Sequence, residues 1–207
     1  MLQKTLILFT ALLMQCCSTS PPIQADIWIK NATLIDGSGS AAKPNQQLLI
    51  RDGKIILVGE NLSAISDTTI DATNRVVAPG IIDPHAHGYP LGKSTFENFI
   101  AMGVTTIVLG LDGSSAMTKN LSEWMDNVQA KKPRLNIATF VGHGTIRRMA
   151  NVVDTSHATP AQIDTMKYYL EEAFAAGAYG MSTGLEYVPG IYAAEEELIE
   201  LAKIVGS

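Results

Sequence analysis

Apolar and polar positions divide the chain into three stretches. The first is a short apolar run, "TLILFTALLM" (Thr5–Met14), with one positive charge before it, Lys4, and polar "STSPPIQA" after it. The run is too short to span a bilayer. A positive start with a short apolar core predicts an export signal over residues 1–25; the alternative is a buried N-terminal helix. The second stretch, 26–75, shows no helical period. "DIWIKNATLID" and "QQLLIRDGKIILVG" are rich in Ile, Leu and Val, Asp52-Gly53 marks a tight hairpin, and "TTIDATNRVVAP" adds a further strand or two. A small β-domain is predicted there.

The third stretch, 76–207, alternates apolar runs with helical periods. "RVVAPGIID" precedes "STFENFIAMG", where Ser94 and Glu97 fit a capping box and Gly103 a C-cap. "VTTIVLGLD" precedes a predicted helix with Met117, Leu121, Trp124, Met125 and Val128 on one face. "LNIATFVGHG" precedes "TPAQIDTMKYYLEEAFAAG", with Thr159 as cap, Pro160 at the first position, Gln162 closing the box, and Ile163, Met166, Leu170 and Phe174 along its face. "YGMSTGLEY" precedes "AAEEELIELAKIVGS", which is acidic in its first turn. Strand and helix in alternation predict an α/β fold with a parallel sheet and helices outside it. Each apolar run ends in polar residues ("DPHAHG", "LDGSS", "HGTIRR", "STGLEY"), which is where barrels of this kind carry chemistry.

Composition narrows the function. Hydrophobic residues make up 46% and charged residues 17%, enough to bury a core, and the net charge of −5 argues against a nucleic-acid partner. The two cysteines, Cys16 and Cys17, end the export segment, so the predicted folded part has neither a disulfide framework nor a thiolate metal site. Signal cleavage after Ala25 is one expectation. A lipid anchor on one of the cysteines is another, although "LLMQ" lacks the small residue that a lipobox places before its cysteine. Both put the protein outside the cytoplasm, in the periplasm or envelope, and a lipid anchor would be its only membrane contact.

His85 and His87 carry the first chemical signal. Spacing of two in an extended chain puts both rings on one face, and two imidazoles on one face can hold a metal ion. An isolated H-x-H is more often two solvated loop histidines. Here the pair closes the first strand of the α/β stretch, inside "APGIIDPHAHG".

That motif, together with "GVTTIVLGLDGSS", "FVGHGTIRRMA" and "MSTGLEYVPGIYAAEEELIELAK", resembles the amidohydrolase superfamily and, within it, the N-acyl-D-amino-acid deacylases. The likeness runs from about Asp26 to the last residue. It implies the N-terminal half of a metal-dependent TIM (β/α)8 barrel, preceded by a small β-sandwich portion. It implies Zn2+, one or two ions, with His85 and His87 as ligands. Many members place a cysteine ligand where Asp112 stands, so Asp112 departs from the pattern while still offering a metal-binding oxygen. Glu186 is the other candidate for a bridging carboxylate, and one of the two is expected to bridge. The ordinary alternatives are a turn residue for Asp112 and a solvated acid for Glu186. His143 is implied to bind the scissile carbonyl, with a backbone-bonding histidine as the alternative. Tyr187 resembles the tyrosine that holds the substrate's carboxylate, with an aromatic plug as the alternative. Arg147 and Arg148 could serve an acidic substrate but read more simply as solvated, and His157 as a plain loop residue.

The implied activity is metal-assisted hydrolysis of small amides, N-acyl-D-amino acids above all. Dipeptidase, cyclic amidase and deaminase activities are variants on the same fold, and a non-catalytic envelope scaffold is the competing class. The family's proton-shuttling aspartate sits on the eighth barrel strand. Four strand–helix units occupy 76–207 where a closed barrel needs eight. The expectation is therefore an inactive N-terminal fragment of a longer enzyme with no catalytic aspartate of its own; a natural half-barrel is the alternative.

Overall fold

The computed structural model describes residues 21–92 and 96–206. Most of the expected export segment, and Ser94 of the expected capping box, lie outside the described residues. The chain forms two compact units that divide between Pro79 and Gly80, four residues beyond the expected boundary.

The first unit is one five-stranded sheet. Strands β1 (Ile23–Leu34), β2 (Lys43–Arg51), β3 (Lys54–Gly59) and β4 (Ala64–Asp71) lie in the order β3-β2-β1-β4, and β5 (Val76–Val77) pairs with the end of β1. The β2–β3 hairpin turns at Asp52 and Gly53, with φ of 52° and 69°, as its sequence predicts. Two positive-φ residues match the right-handed twist of the flanking strands. Ala32, Leu48 and Leu49 are fully or nearly buried at the sheet's centre. β1 begins at Ile23, and Ile23 to Ala25 pair with Ala64 to Ser66. Cleavage after Ala25 would remove three paired residues.

The second unit is mixed α/β. Strands β6 (Ile81–Asp83), β7 (Val104–Leu109) and β8 (Asn136–Thr139) form a parallel sheet in chain order, and β9 (Val141–Gly142) and β10 (Met181–Ser182) form a parallel pair. Helices α1 (Glu97–Ala101), α2 (Leu121–Ala130), α3 (His143–Met149), α4 (Pro160–Ala175) and α5 (Glu195–Val205) follow the strands. The run expected as one third strand breaks at Phe140. Its N–H donates to Leu109 on one side, while Thr139 O and Val141 N–H bond Tyr179 and Gly180 on the other, so backbone pairing continues through the break.

Two expectations change here. "RVVAPGIID" divides: Val76–Val77 joins the first sheet, and Ile81–Asp83 opens the second. Pro79 lacks the N–H that a continuous ladder needs. Helix α2 starts at Leu121, later than expected, because the Asn120 side chain caps it by accepting from the Glu123 N–H at 3.0 Å. Met117 is left exposed in the loop. Helix α4 keeps its predicted capping box of Thr159 and Gln162 with Pro160 at the first position. Its Met166 and Leu170 are fully buried against Ile146, Val152 and Leu201. A second cluster, around Ile107, Leu109, Phe96 and Leu135, packs the other end of this unit.

Candidate metal centre

The site begins where β6 ends. The His85 N–H donates to Asp83 Oδ1 at 3.1 Å, and the Ala86 N–H donates to Val108 O at 3.0 Å. Ala86 is thereby tied down on β7 and buried, while its neighbours His85 and His87 project together. Their ring centroids are 5.3 Å apart and nearly edge-on. Asp112 meets both from the loop after β7: its Oδ2 is 3.1 Å from His85 Nε2 and 3.2 Å from His87 Nε2. These are the only three His, Cys, Asp or Glu donors that converge among the described residues.

The donor set fits a divalent ion. Zinc ligands at about 2.0–2.1 Å in a tetrahedron stand about 3.3–3.4 Å apart, close to the two nitrogen–oxygen separations here. Two imidazoles and a carboxylate are ordinary zinc donors, and all three side chains keep an open, solvated side.

Asp112 reaches this point through an unusual turn. Gly110, Asp112 and Gly113 all have positive φ, 80°, 54° and 72°. Aspartate tolerates the left-handed region better than most residues with a Cβ. The turn is tied on two sides. Ser182 Oγ donates to Gly110 O at 2.6 Å and accepts from the Gly113 N–H at 3.2 Å. On the other side, the Thr145 N–H donates to Gly113 O at 3.2 Å, Thr145 Oγ1 accepts from the Ser115 N–H at 2.9 Å, and Ser115 Oγ accepts from the Gly142 N–H at 3.0 Å. Gly184 lies so close that a Cβ there would sit 2.2 Å from Asp112 O.

The remaining expected site residues are dispersed. Glu186 is exposed on the turn after β10 and lies outside the three-donor group. Tyr187 is also exposed, and with Asp112, Arg148 and Val188 it lines a cleft of about 300 Å³. Arg148 donates to Val188 O at 2.8 Å and lies 3.6 Å from Asp154. His157 is exposed.

His143 does not face the open site where the resemblance would put a substrate carbonyl: it is fully buried at the start of α3, with Nε2 2.7 Å from Glu197 Oε1. Arg147, expected in solvent, is fully buried too. It pairs with the other Glu197 oxygen and donates to Ser156 O at 2.6 Å. Glu197 itself read as a first-turn acid of α5. Burial alone would raise its pKa, but the bonds to His143 and Arg147 outweigh that and hold it below the ordinary glutamate value. Sequence reasoning missed this trio because His143 and Glu197 are 54 residues apart. It also missed Ser182, Thr145 and Ser115, whose only sequence signal is their place at strand ends.

Paired histidines and a facing carboxylate at the strand ends of a parallel α/β unit form a donor set able to hold a divalent metal ion. No protein-family model matches the chain. It is 33% identical over 206 residues to an N-acyl-D-aspartate deacylase of Alcaligenes xylosoxydans xylosoxydans, covering 88% of this chain and 41% of the relative. Among solved structures, N-acyl-D-glutamate deacylase from Bordetella bronchiseptica, complexed with zinc and a phosphonate mimic of the tetrahedral intermediate, aligns with a TM-score of 0.82 at 31% identity. That alignment covers 88% of this chain and 43% of that one. A D-aminoacylase structure that defines a subset of the amidohydrolases aligns with a TM-score of 0.81 at 29% identity, covering 87% and 43%. The resemblance read from the motifs therefore holds: the chain is similar to the N-acyl-D-amino-acid deacylases of the amidohydrolase superfamily. It spans about two-fifths of the length of the relatives it matches.

Proposed function

We propose that this chain carries the first part of a metal-dependent amidohydrolase that cleaves the amide bond of N-acyl-D-amino acids. The observation that carries the reading is the convergence of His85, His87 and Asp112 at ligand spacing, in a chain similar to deacylases over 88% of its length. In this reading β6 to β10 are the opening strands of a (β/α)8 barrel, and the five-stranded sheet is part of a β-sandwich.

His85, His87 and Asp112 would hold the ion. A bound zinc supplies a water whose pKa is lowered to about 7 and a Lewis acid for the amide carbonyl. Asp112 brings negative charge to the two rings, which keeps both Nε2 atoms turned toward one point. Tyr187 and Arg148, which line the same cleft as Asp112, offer a hydroxyl and a guanidinium to a substrate carboxylate. Asp112 is preferred over Glu186 as the bridging carboxylate, because it is the one that meets the histidines. The charge and apolar pattern of residues 1–25 supports export to the periplasm or envelope.

The test uses the complete gene product. Purified with zinc, it should hydrolyse N-acetyl-D-aspartate, N-acetyl-D-glutamate or a neutral N-acetyl-D-amino acid in preference to the L-enantiomers. The His85→Ala, His87→Ala double variant should lose zinc by elemental analysis and lose turnover. Full activity in that variant after exhaustive chelation would rule the mechanism out.

A further inference from the structure

We propose that Ser182 is a positioning residue for Asp112: its hydroxyl fastens the turn that presents the carboxylate to His85 and His87, and so sets the metal affinity of the site. The inference rests on the metal-site reading above. A serine hydroxyl has one proton to donate and lone pairs to accept with. Here both capacities serve one four-residue turn. The donated bond, 2.6 Å to Gly110 O, holds its first residue, and the accepted bond, 3.2 Å from the Gly113 N–H, holds its last. Asp112 lies between them at φ 54°.

That backbone does not hold itself in place. Gly110 and Gly113 have no side chain to restrict them, and the left-handed region is a minor basin for Asp112. Without Ser182 the turn keeps the Ser114 N–H to Leu111 O bond, 3.0 Å, and the Thr145 N–H to Gly113 O bond, 3.2 Å, both at its far end, while Gly110 O ahead of Asp112 loses its fastening and the carboxylate gains room to swing. Ser182 fastens it to β10, whose own position is set by parallel pairing with β9. Residues that orient a metal ligand typically change affinity 10–100-fold when they are removed.

The experiment measures zinc affinity of the complete gene product by competition with a chromophoric chelator. It also records the visible absorption of the Co2+-substituted protein, for the wild type, Ser182→Ala, Ser182→Thr and His85→Ala. Ser182→Ala should bind zinc 10–100-fold more weakly and change the Co2+ ligand-field bands, while its thermal midpoint in excess chelator moves little. Ser182→Thr, which keeps the hydroxyl, should recover affinity to within about threefold. Affinity of Ser182→Ala within twofold of wild type, with unchanged Co2+ bands, overturns the proposal, provided His85→Ala loses the metal. A Thr variant as weak as the Ala variant also overturns it. If His85→Ala binds zinc as tightly as wild type, the metal-site reading itself falls, and the Ser182 proposal with it.

Discussion

Replacing Glu197 by Gln should cost the second unit about 3–5 kcal/mol, the usual penalty for breaking a buried ion pair from one side. Glu197, His143 and Arg147 are each fully buried. The glutamate's two oxygens take one partner each, His143 Nε2 at 2.7 Å and the Arg147 guanidinium. Glutamine keeps the shape but removes the charge and turns one oxygen into a donor amide. The new amide then faces either Arg147, which can only donate, or His143, whose Nε2 can accept from it only in the Nδ1–H tautomer. Arg147 keeps Ser156 O, at 2.6 Å, but no counter-charge against the burial of its own. The assay is equilibrium urea unfolding in a Trp28→Phe background, so that fluorescence reports Trp124 in the second unit. With a slope of about 1–3 kcal/mol per molar, the midpoint should fall by more than 1 M. Adding Arg147→Met to Glu197→Gln should restore part of the loss, since it removes the stranded charge. The pH dependence follows from the lowered pKa. A carboxylate favoured by folding contributes fully above its unfolded pKa, near 4.3, and loses that contribution as pH falls through the lower folded value. A loss under about 1 kcal/mol, or strictly additive single and double variants, would refute the reasoning.

Three further outcomes are expected. Gly184→Ala should disturb the Asp112 turn, because its Cβ would lie 2.2 Å from Asp112 O; weakened zinc binding by competition titration checks this. Thr159→Ala should cost α4 about 1 kcal/mol through loss of its capping box, read by the same urea titration. Asp36 has its pKa held well below the carboxylate range, first by Lys43 and then by Ser38. Lys43→Ala should raise it in an NMR titration, yet leave it depressed by Ser38, and added salt should narrow the gap between the two proteins.

The parts of the fold legible in the sequence are those with local causes. Asp52-Gly53 named its hairpin, Thr159-Pro160 and Gln162 named the start of α4, and Gly103 closed α1 with φ 81°. The convergence of His85 and His87 was legible because a spacing of two puts both rings on one face of an extended chain. Three things were hidden because their causes are tertiary. Helix α3 has seven residues, too few to show a period, and its buried charges look like surface residues until Glu197 is found. The break at Phe140 depends on bonds to β7 on one side and to the Tyr179–Gly180 segment on the other. The Asp112 turn depends on Ser182, 70 residues further along the chain.

With the proposed metal bound, the carboxylate at position 112 would also decide what can poison the site. Imidazole nitrogen and carboxylate oxygen do not climb the oxidation ladder that converts a thiolate to sulfenic and then sulfinic acid. A centre of His85, His87 and Asp112 would thus hold no thiolate for peroxide to oxidise. It also trades a soft thiolate's preference for zinc for tolerance of harder ions such as Mn2+. Exchanging sulfur for oxygen at one left-handed residue would spare the centre thiol oxidation and leave its choice of ion more to metal supply.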